Sequence, residues 1–364
     1  MNFYAGIDGG GTKTELAAID ERGAALCQVR GTSTNPHTVG FDKAFMELTS
    51  IFKTFLEQPQ LIGRKCLGIC LGMSGIDHED ERLRLTAFLK EELQRLRAPS
   101  PFEIRTEGEI ALMAALGRPY GLQIIAGTGS IVYGFLPDEP RARAGGWGHL
   151  LGDEGSGYRL GLEALRLTAR EFDRAGLAAP RCAPMEEAAE GASSVGAAPV
   201  APQAASEGAE KLPPPGEAAA VPGSAGSGAA GLAASVREAL GLHTPEDLKR
   251  WVYAPGTDKA AIAAVAETAI RACEAGDPDA RRIVADEAAN LAATTAGLLR
   301  HRPAFAEGDA VLGGSIFGHS PSFREAFAQA LAAEFPKLRL VDGAGGRSAA
   351  EGAALLARQI FGGA

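Results

Sequence analysis

The sequence predicts an α/β protein built from two halves of related topology that face each other across a cleft. Three observations carry this reading. A strand, glycine hairpin and strand open the chain, a second such unit recurs about 120 residues on, and between and beyond them apolar strand-like runs alternate with helical periods.

The opening unit is Phe3-Tyr4-Ala5-Gly6-Ile7, then Asp8-Gly9-Gly10-Gly11-Thr12-Lys13-Thr14, then Leu16-Ala17-Ala18-Ile19, with Asp20 to Gly23 turning the chain. Glycines at such a tip allow positive φ and let backbone N–H groups approach an anion, a nest for phosphate oxygens into whose mouth Asp8 points. Two better-known phosphate motifs do not fit. A Walker loop needs Lys directly after its last Gly, where this chain has Thr12. A dinucleotide fingerprint starting at Gly9 needs a third Gly where Thr14 stands, then a helix, and the residues after Thr14 are strand-like. A plain hairpin turn is the alternative for this stretch taken alone.

After the hairpin, Gly31 to His37 form a polar loop that includes Thr32-Ser33-Thr34-Asn35, with an ordinary Asx turn as its alternative role. Phe41, Phe45, Leu48, Phe52 and Phe55 then mark one face of a helix over residues 41–56. Cys66 to Leu71 read as a buried strand ending at Gly72-Met73-Ser74-Gly75, followed by a charged helix over about 79–96. A strand over about 102–106 runs into Glu107-Gly108-Glu109 and a helix from Ile110 to Leu116. Loops at the carboxyl ends of such strands are where open α/β sheets bind ligands.

The second unit is Leu122 to Ala126, Gly127-Thr128-Gly129-Ser130, and Ile131 to Phe135. Gly145-Gly146-Trp147-Gly148-His149-Leu150-Leu151-Gly152-Asp153-Glu154-Gly155-Ser156-Gly157 comes next, a loop whose glycines around a Trp, a His and two acids suit a ligand better than a core. After a helix over 160–172, residues 176–235 collapse into Ala, Gly, Pro, Ser and Glu, which offers little to bury and predicts a disordered surface insertion. Helices are expected near 235–241, 245–253, 258–275 and 278–300. Ala310 to Ile316 is a strand opening on Gly313-Gly314-Ser315, where small residues let a flat base or ribose lie against the backbone. A helix over 320–335, a strand over 338–341 and a helix over 349–360 complete the chain. We divide it into a first domain over 1–117 and a second over 118–364.

Length bounds the chain at about two domains. No stretch of about 18 uninterrupted apolar residues and no signal peptide is visible, so a cytoplasmic location and no membrane contact are expected. A formal charge of -9 argues against nucleic-acid binding. The five cysteines are scattered and odd in number, which suits reduced thiols, and Cys66 and Cys70 alternate with apolar residues as core packing.

In this order, the stretches from Asp8 to Thr14, Thr32 to Asn35, Gly127 to Ser130, and Gly146-Trp147-Gly148 through Gly152 to Ser156 resemble the N-acetylglucosamine kinase family. That family belongs to the BadF/BadG/BcrA/BcrD ATPase group of the actin, hexokinase and Hsp70 superfamily. The resemblance implies two actin-like, ribonuclease H-like ATPase domains, the insertion lying in the second. It implies an ATP-dependent kinase that phosphorylates a hydroxyl of an amino sugar, N-acetylglucosamine or glucosamine, at O6.

By the same resemblance Asp8, Gly9, Gly10, Gly11, Thr12, Lys13, Thr14 and Gly127, Thr128, Gly129, Ser130 are the phosphate loops, and Gly313, Gly314, Ser315 the adenosine loop. Asp8 stands near Mg²⁺. Asn35, Ser74, Gly75, Trp147, Gly148 and Asp153 are sugar candidates, since a hexosamine offers hydroxyls and an apolar face. Members of the family carry Asn-Asp-Ala where this chain has Thr106-Glu107-Gly108, so Glu107 stands in the place of the general base, one methylene longer. Asp153 is the second candidate for that role, and Glu109 a third that needs a shift of register. A homodimer through the second domain is implied by resemblance alone. Two alternatives are an ATPase activator of a dehydratase, which needs a cysteine next to the second loop where Gln123 to Ala126 has none, and a non-catalytic sugar or nucleotide sensor.

Overall fold

The computed structural model describes residues 2–76, 78–137, 139–178, 231–343 and 346–363. The first half runs β1 (Asn2–Gly9), β2 (Thr14–Asp20), β3 (Ala25–Gly31), α1 (Pro36–Val39), α2 (Phe41–Leu56), β4 (Lys65–Met73), α3 (Glu79–Arg95), β5 (Phe102–Arg105) and α4 (Glu107–Leu116). It continues with β6 (Gly121–Ala126), β7 (Ser130–Phe135), β8 (Ala142–Gly145), α5 (Gly157–Ala178), α6 (Leu232–Leu240), α7 (Pro245–Val252), α8 (Lys259–Ala264), α9 (Ala266–Glu274) and α10 (Pro278–His301). The chain then adds β9 (Asp309–Gly313), α11 (Ser315–His319), α12 (Pro321–Ala332), β10 (Arg339–Asp342) and α13 (Ala349–Phe361).

Two five-stranded sheets result, ordered β3-β2-β1-β4-β5 and β10-β9-β6-β7-β8. Read from the opposite edge, the second order repeats the first. In each sheet the leading hairpin and its third strand pair antiparallel, and the last two strands pair parallel beside the first. This duplication is the two-domain actin-like architecture, and it sets both glycine hairpins at equivalent places.

The layers follow from side-chain alternation along the strands. On β1, Phe3, Ala5 and Ile7 join the cluster under α2 and α3 with Leu48, Phe52, Leu85 and Leu89. Tyr4 points the other way, into a cluster with Ile110 and Met113 of α4 and Ala353, Ala354 and Leu356 of α13. Asp8 shares the parity of Tyr4, so it lies on the face turned toward α4, α13 and the second sheet. Leu112 of α4 packs with Phe135 and Val311 of that second sheet, so α4 bridges both. The far face of the second sheet, with Leu122, Ile124 and Ala126, carries the largest cluster together with α5, α9, α10 and α12. Cys70 is buried with Tyr4 in the cluster under α4 and α13, and burial pushes its thiol up to about 12, which keeps it protonated.

The structure departs from the sequence reading in several places, one being the run read as strand to Ile316, where β9 ends at Gly313 and α11 begins at Ser315. Strands β3 and β8 were not expected, because both are edge strands with polar residues facing out, and pairing with β2 and β7 defines them. The single helix expected over 258–275 is two, α8 and α9, separated at Val265, whose N–H bonds the Ile262 carbonyl three residues back and tightens the turn. Helix α4 starts at Glu107 instead of Ile110. The insertion expected over 176–235 overlaps helix at both edges, since α5 extends to Ala178 and α6 begins at Leu232; residues 179–230 lie outside the described residues. Among the described residues, no helix is long and apolar enough to cross a membrane.

Candidate active site

The register Gly9↔Thr14 closes the first hairpin and leaves residues 10–13 at its tip. Gly10 N–H donates to the Lys13 carbonyl at 3.0 Å, which folds the tip back on itself. Among the described residues, no acceptor is bonded to the N–H of Gly11, Thr12 or Lys13, and all three are exposed. Three open amides beside one lysine are what phosphate oxygens need. The polar loop after β3 supports this tip from below. The Thr14 and Thr34 hydroxyls lie 2.8 Å apart, and Thr34 N–H and Ser33 Oγ both donate to the Gly10 carbonyl, at 3.3 and 3.2 Å.

Asn35 caps α1, its Oδ1 accepting from His37 N–H at 2.8 Å. A methyl added at Gly75, whose φ is +74°, would stand 2.3 Å from that same Oδ1. Ser74 N–H donates to the Gly9 carbonyl at 2.8 Å. The first hairpin, Asn35 and the Ser74-Gly75 turn are therefore one continuous surface.

Glu107 reaches this surface from the opposite side. Thr106 caps α4 through its hydroxyl, which accepts from Glu109 N–H at 3.2 Å, while the Glu109 carboxylate accepts from Thr106 N–H at 2.9 Å. Glu109 is thus committed to the cap, and Glu107, first residue of the helix, is exposed. A cavity of about 210 Å³ collects Ser74, Gly75 and Glu107 with Arg105, Gln123 and Arg141. Arg105 and Arg141 carry no motif of their own, and the sequence reading missed both.

At the second hairpin, Ser130 N–H donates to Asp153 Oδ1 at 3.2 Å and Ser130 Oγ to the Glu154 carbonyl at 2.7 Å. Among the described residues the N–H groups of Thr128 and Gly129 meet no protein acceptor. Asp153 is 3% exposed with φ +65°, and its Oδ2 lies 2.7 Å from Lys259 Nζ. Gly155 N–H donates to the buried Glu287 carboxylate at 2.8 Å; burial pushes that carboxyl up against the pull of this bond and of Arg159. The loop from Trp147 to Gly157 thus buttresses the second hairpin. Trp147 is 63% exposed beneath the Arg143 guanidinium, 4.2 Å from its ring centroid, and with Gly148 it stands apart from the lining of the Glu107 cavity.

The turn at Gly313-Gly314-Ser315 abuts the same hairpin. Gly314 has φ +94°, and a methyl there would stand 2.3 Å from the Ala126 carbonyl oxygen, so only glycine fits. Gly313 and Gly314 line a cavity of about 260 Å³ together with Phe317, Asp342 and Arg347.

Asp8 is the candidate for holding a metal. Burial pushes its carboxyl up from 3.8 to about 6, Glu15 adding to the rise and Lys13 opposing it. Among the described residues, no group of three or more His, Cys, Asp or Glu is placed to hold a metal by itself. A single carboxylate at the base of the first hairpin fits Mg²⁺ that arrives with nucleotide phosphates, since that ion keeps its waters and takes one or two protein oxygens. Asp8 binds its proton more tightly folded than unfolded, so its contribution to stability is present at low pH and is lost as pH rises from about 4 through about 6. Asp8→Asn is expected to be more stable than the wild type above pH 6 by on the order of 2 kcal/mol and so to melt higher there, with the two curves converging below pH 4. Thermal melts across that range, without nucleotide, test it.

Two topologically equal lobes, each presenting a glycine hairpin with open amides, define a protein of actin-like fold. The chain belongs to the BadF/BadG/BcrA/BcrD ATPase family, whose model matches residues 5–357. It is 35% identical over 186 residues to an N-acetyl-D-glucosamine kinase of Dictyostelium discoideum, covering 48% of this chain and 56% of that protein. It is 30% identical over 176 residues to an N-acetylmuramic acid/N-acetylglucosamine kinase of Clostridium acetobutylicum, with the same two shares. The chain spans about half the length of the curated relatives it matches. A solved structure from Chromobacterium violaceum, proposed to be an N-acetylglucosamine kinase, superposes with a TM-score of 0.61 at 20% identity, over 98% of this chain and 99% of that one. A Porphyromonas gingivalis protein of the same proposed kind gives 0.59 at 17% identity, over 99% and 100%. At those identities the solved structures show the fold.

Proposed function

We propose that the chain is an ATP-dependent kinase that transfers the γ-phosphoryl group to a hydroxyl of an amino sugar, N-acetylglucosamine or glucosamine, at O6, in the cytoplasm. The observation that carries this is the cavity in which Ser74, bonded to the first hairpin, and its neighbour Gly75 meet Glu107 at the start of α4. One wall of it adjoins phosphate-type amides, and the other supplies a carboxylate that can accept a proton. The names of the curated relatives support an amino sugar as acceptor.

In this reading residues 1–117 and 118–364 are the two lobes, the last helix α13 of the second crossing back to cover the sheet of the first, and the nucleotide spans their hairpins with its adenosine against Gly313 to Ser315. Mg²⁺, carried in by the phosphates and held near Asp8, supplies charge neutralisation. Glu107 takes the proton from the attacking sugar hydroxyl, whose oxygen bonds to the γ-phosphorus while ADP leaves. Asn35, Ser74 and Gly75 orient the sugar, whereas Trp147 and Gly148, expected from the sequence to join them, stand apart from the Glu107 cavity. Asp153, tied to Ser130 and Lys259, serves the hairpin as well as any sugar hydroxyl. A homodimer through the second lobe is compatible with this scheme.

ADP release measured with N-acetylglucosamine, glucosamine and N-acetylmuramic acid, with and without Mg²⁺, tests the reading. We expect turnover with a hexosamine that chelation of Mg²⁺ abolishes, and a 6-phosphate by NMR of the product. No turnover with any of the three would sink the proposal, and a phosphate at another oxygen would correct the position.

A further inference from the structure

We propose that Lys259 is a phosphate-binding residue of the second hairpin, set to engage the terminal phosphates of a nucleotide. The proposal rests on the kinase reading above and adds a residue that neither hairpin motif contains.

Position is the first support. Lys259 Nζ lies 2.7 Å from Asp153 Oδ2, and a methyl added at Gly129 would stand 2.8 Å from that same Nζ. The ammonium therefore lies against the hairpin tip, where the Thr128 and Gly129 amides are open. About a third of the side chain remains exposed, so a ligand can reach it from solvent.

Rigidity is the second. A methyl at Gly161 would stand 2.0 Å from the Ile262 carbonyl oxygen, and one at Gly157 would stand 3.3 Å from that of Ala263, so α8 is pressed directly onto α5. The start of α5 is bonded to the hairpin in turn: Gly157 N–H donates to the Gly127 carbonyl at 2.7 Å and Tyr158 N–H to that of Thr128 at 3.3 Å. Hairpin, α5 and α8 move as one body, and Lys259 travels with the amides it complements.

Charge is the third. The chain carries a net -9, and the Asp153 carboxylate beside the hairpin would repel a phosphate if left alone. An ammonium has three donors, enough to keep Asp153 and still reach a phosphate oxygen. The other carboxylate at this corner, Asp258, is occupied as the cap of α8, accepting from Ala261 N–H at 2.9 Å.

Binding of ATP, ADP and adenosine by calorimetry tests this on wild type, Lys259→Met, Lys259→Arg and the double variant Lys259→Met/Asp153→Asn. A contact to a charged group sets the scale, so Lys259→Met is expected to weaken ATP by about 10- to 100-fold and leave adenosine unchanged. Lys259→Arg should retain most of the ATP affinity. The double variant should stay weak; affinity restored by it would mean that Lys259 only neutralises Asp153, and the proposal falls. Equal weakening of ATP and adenosine would show a structural role, and that too overturns it. Wild type that binds no ATP ends the kinase reading and this one together, whereas wild type and Lys259→Met that bind ATP equally end this one alone. Should Lys259→Met lose its melting transition, Lys259→Gln, which keeps a hydrogen bond to Asp153, carries the same comparison.

Discussion

Glu107→Gln is expected to lower kcat by about 10² to 10⁴ while the affinity for ATP changes by no more than about twofold. The substitution keeps size and polarity and removes only the capacity to accept a proton. Glu109 does not offer a substitute, because its carboxylate closes the cap of α4 on Thr106. Glu107→Asp separates reach from chemistry: it keeps the carboxylate and shortens it by one methylene. A placement error of about 1 Å can forfeit roughly 10² in rate, so the Asp variant should fall between wild type and Gln. Steady-state turnover with the best acceptor from the hexosamine panel, paired with nucleotide calorimetry, reads both. Unchanged turnover in Glu107→Gln would remove Glu107 from the base role and turn attention to Asp153.

The largest effect on stability is expected at Gly6→Ala, far from any reacting atom. A methyl there would stand 2.0 Å from the Ala350 carbonyl oxygen and 2.1 Å from the Ala354 nitrogen, both backbone atoms of α13. Neither can rotate away, so the helix as a whole must shift, and Ala353, Ala354 and Leu356 move off Tyr4 and Ile110 with it. Overpacking of this kind costs about 3 kcal/mol. Urea unfolding should show a lower midpoint at unchanged slope. A midpoint within error of the wild type would mean that α13 is seated more loosely than the contact implies.

Much of this molecule is legible locally. The 3.6-residue spacing of Leu48, Phe52 and Phe55, and the strand, glycine and strand units at Gly9 and Gly127, encode their structure within a few residues, and the structure has both elements where those patterns lie. The start of α4 was also readable, since Thr106 and Glu109 stand at capping-box spacing, yet the apolar run beginning at Ile110 drew the boundary three residues late. Edge strands β3 and β8 owe their form to a neighbour and carry no strong pattern of their own. Lys259 was invisible for a different reason. Its partner Asp153 lies more than a hundred positions earlier in the sequence, and only the packing of α8 on α5 brings them together. Arg105 and Arg141 meet at a cavity in the same way, through the approach of the two sheets.

The placement of α13 carries a consequence for biosynthesis. Its residues cover the interior face of a sheet whose leading strand is made more than three hundred residues earlier, and Gly6 finds its partners Ala350 and Ala354 only after α13 has been made. Until then the nascent first lobe carries Tyr4, Cys70 and Ile110 without their cover. The lobes therefore cannot mature one after the other in order of synthesis, and contacts of such long sequence separation are among the slowest to form. Early chaperone contact should concentrate on that bare face and end when α13 docks.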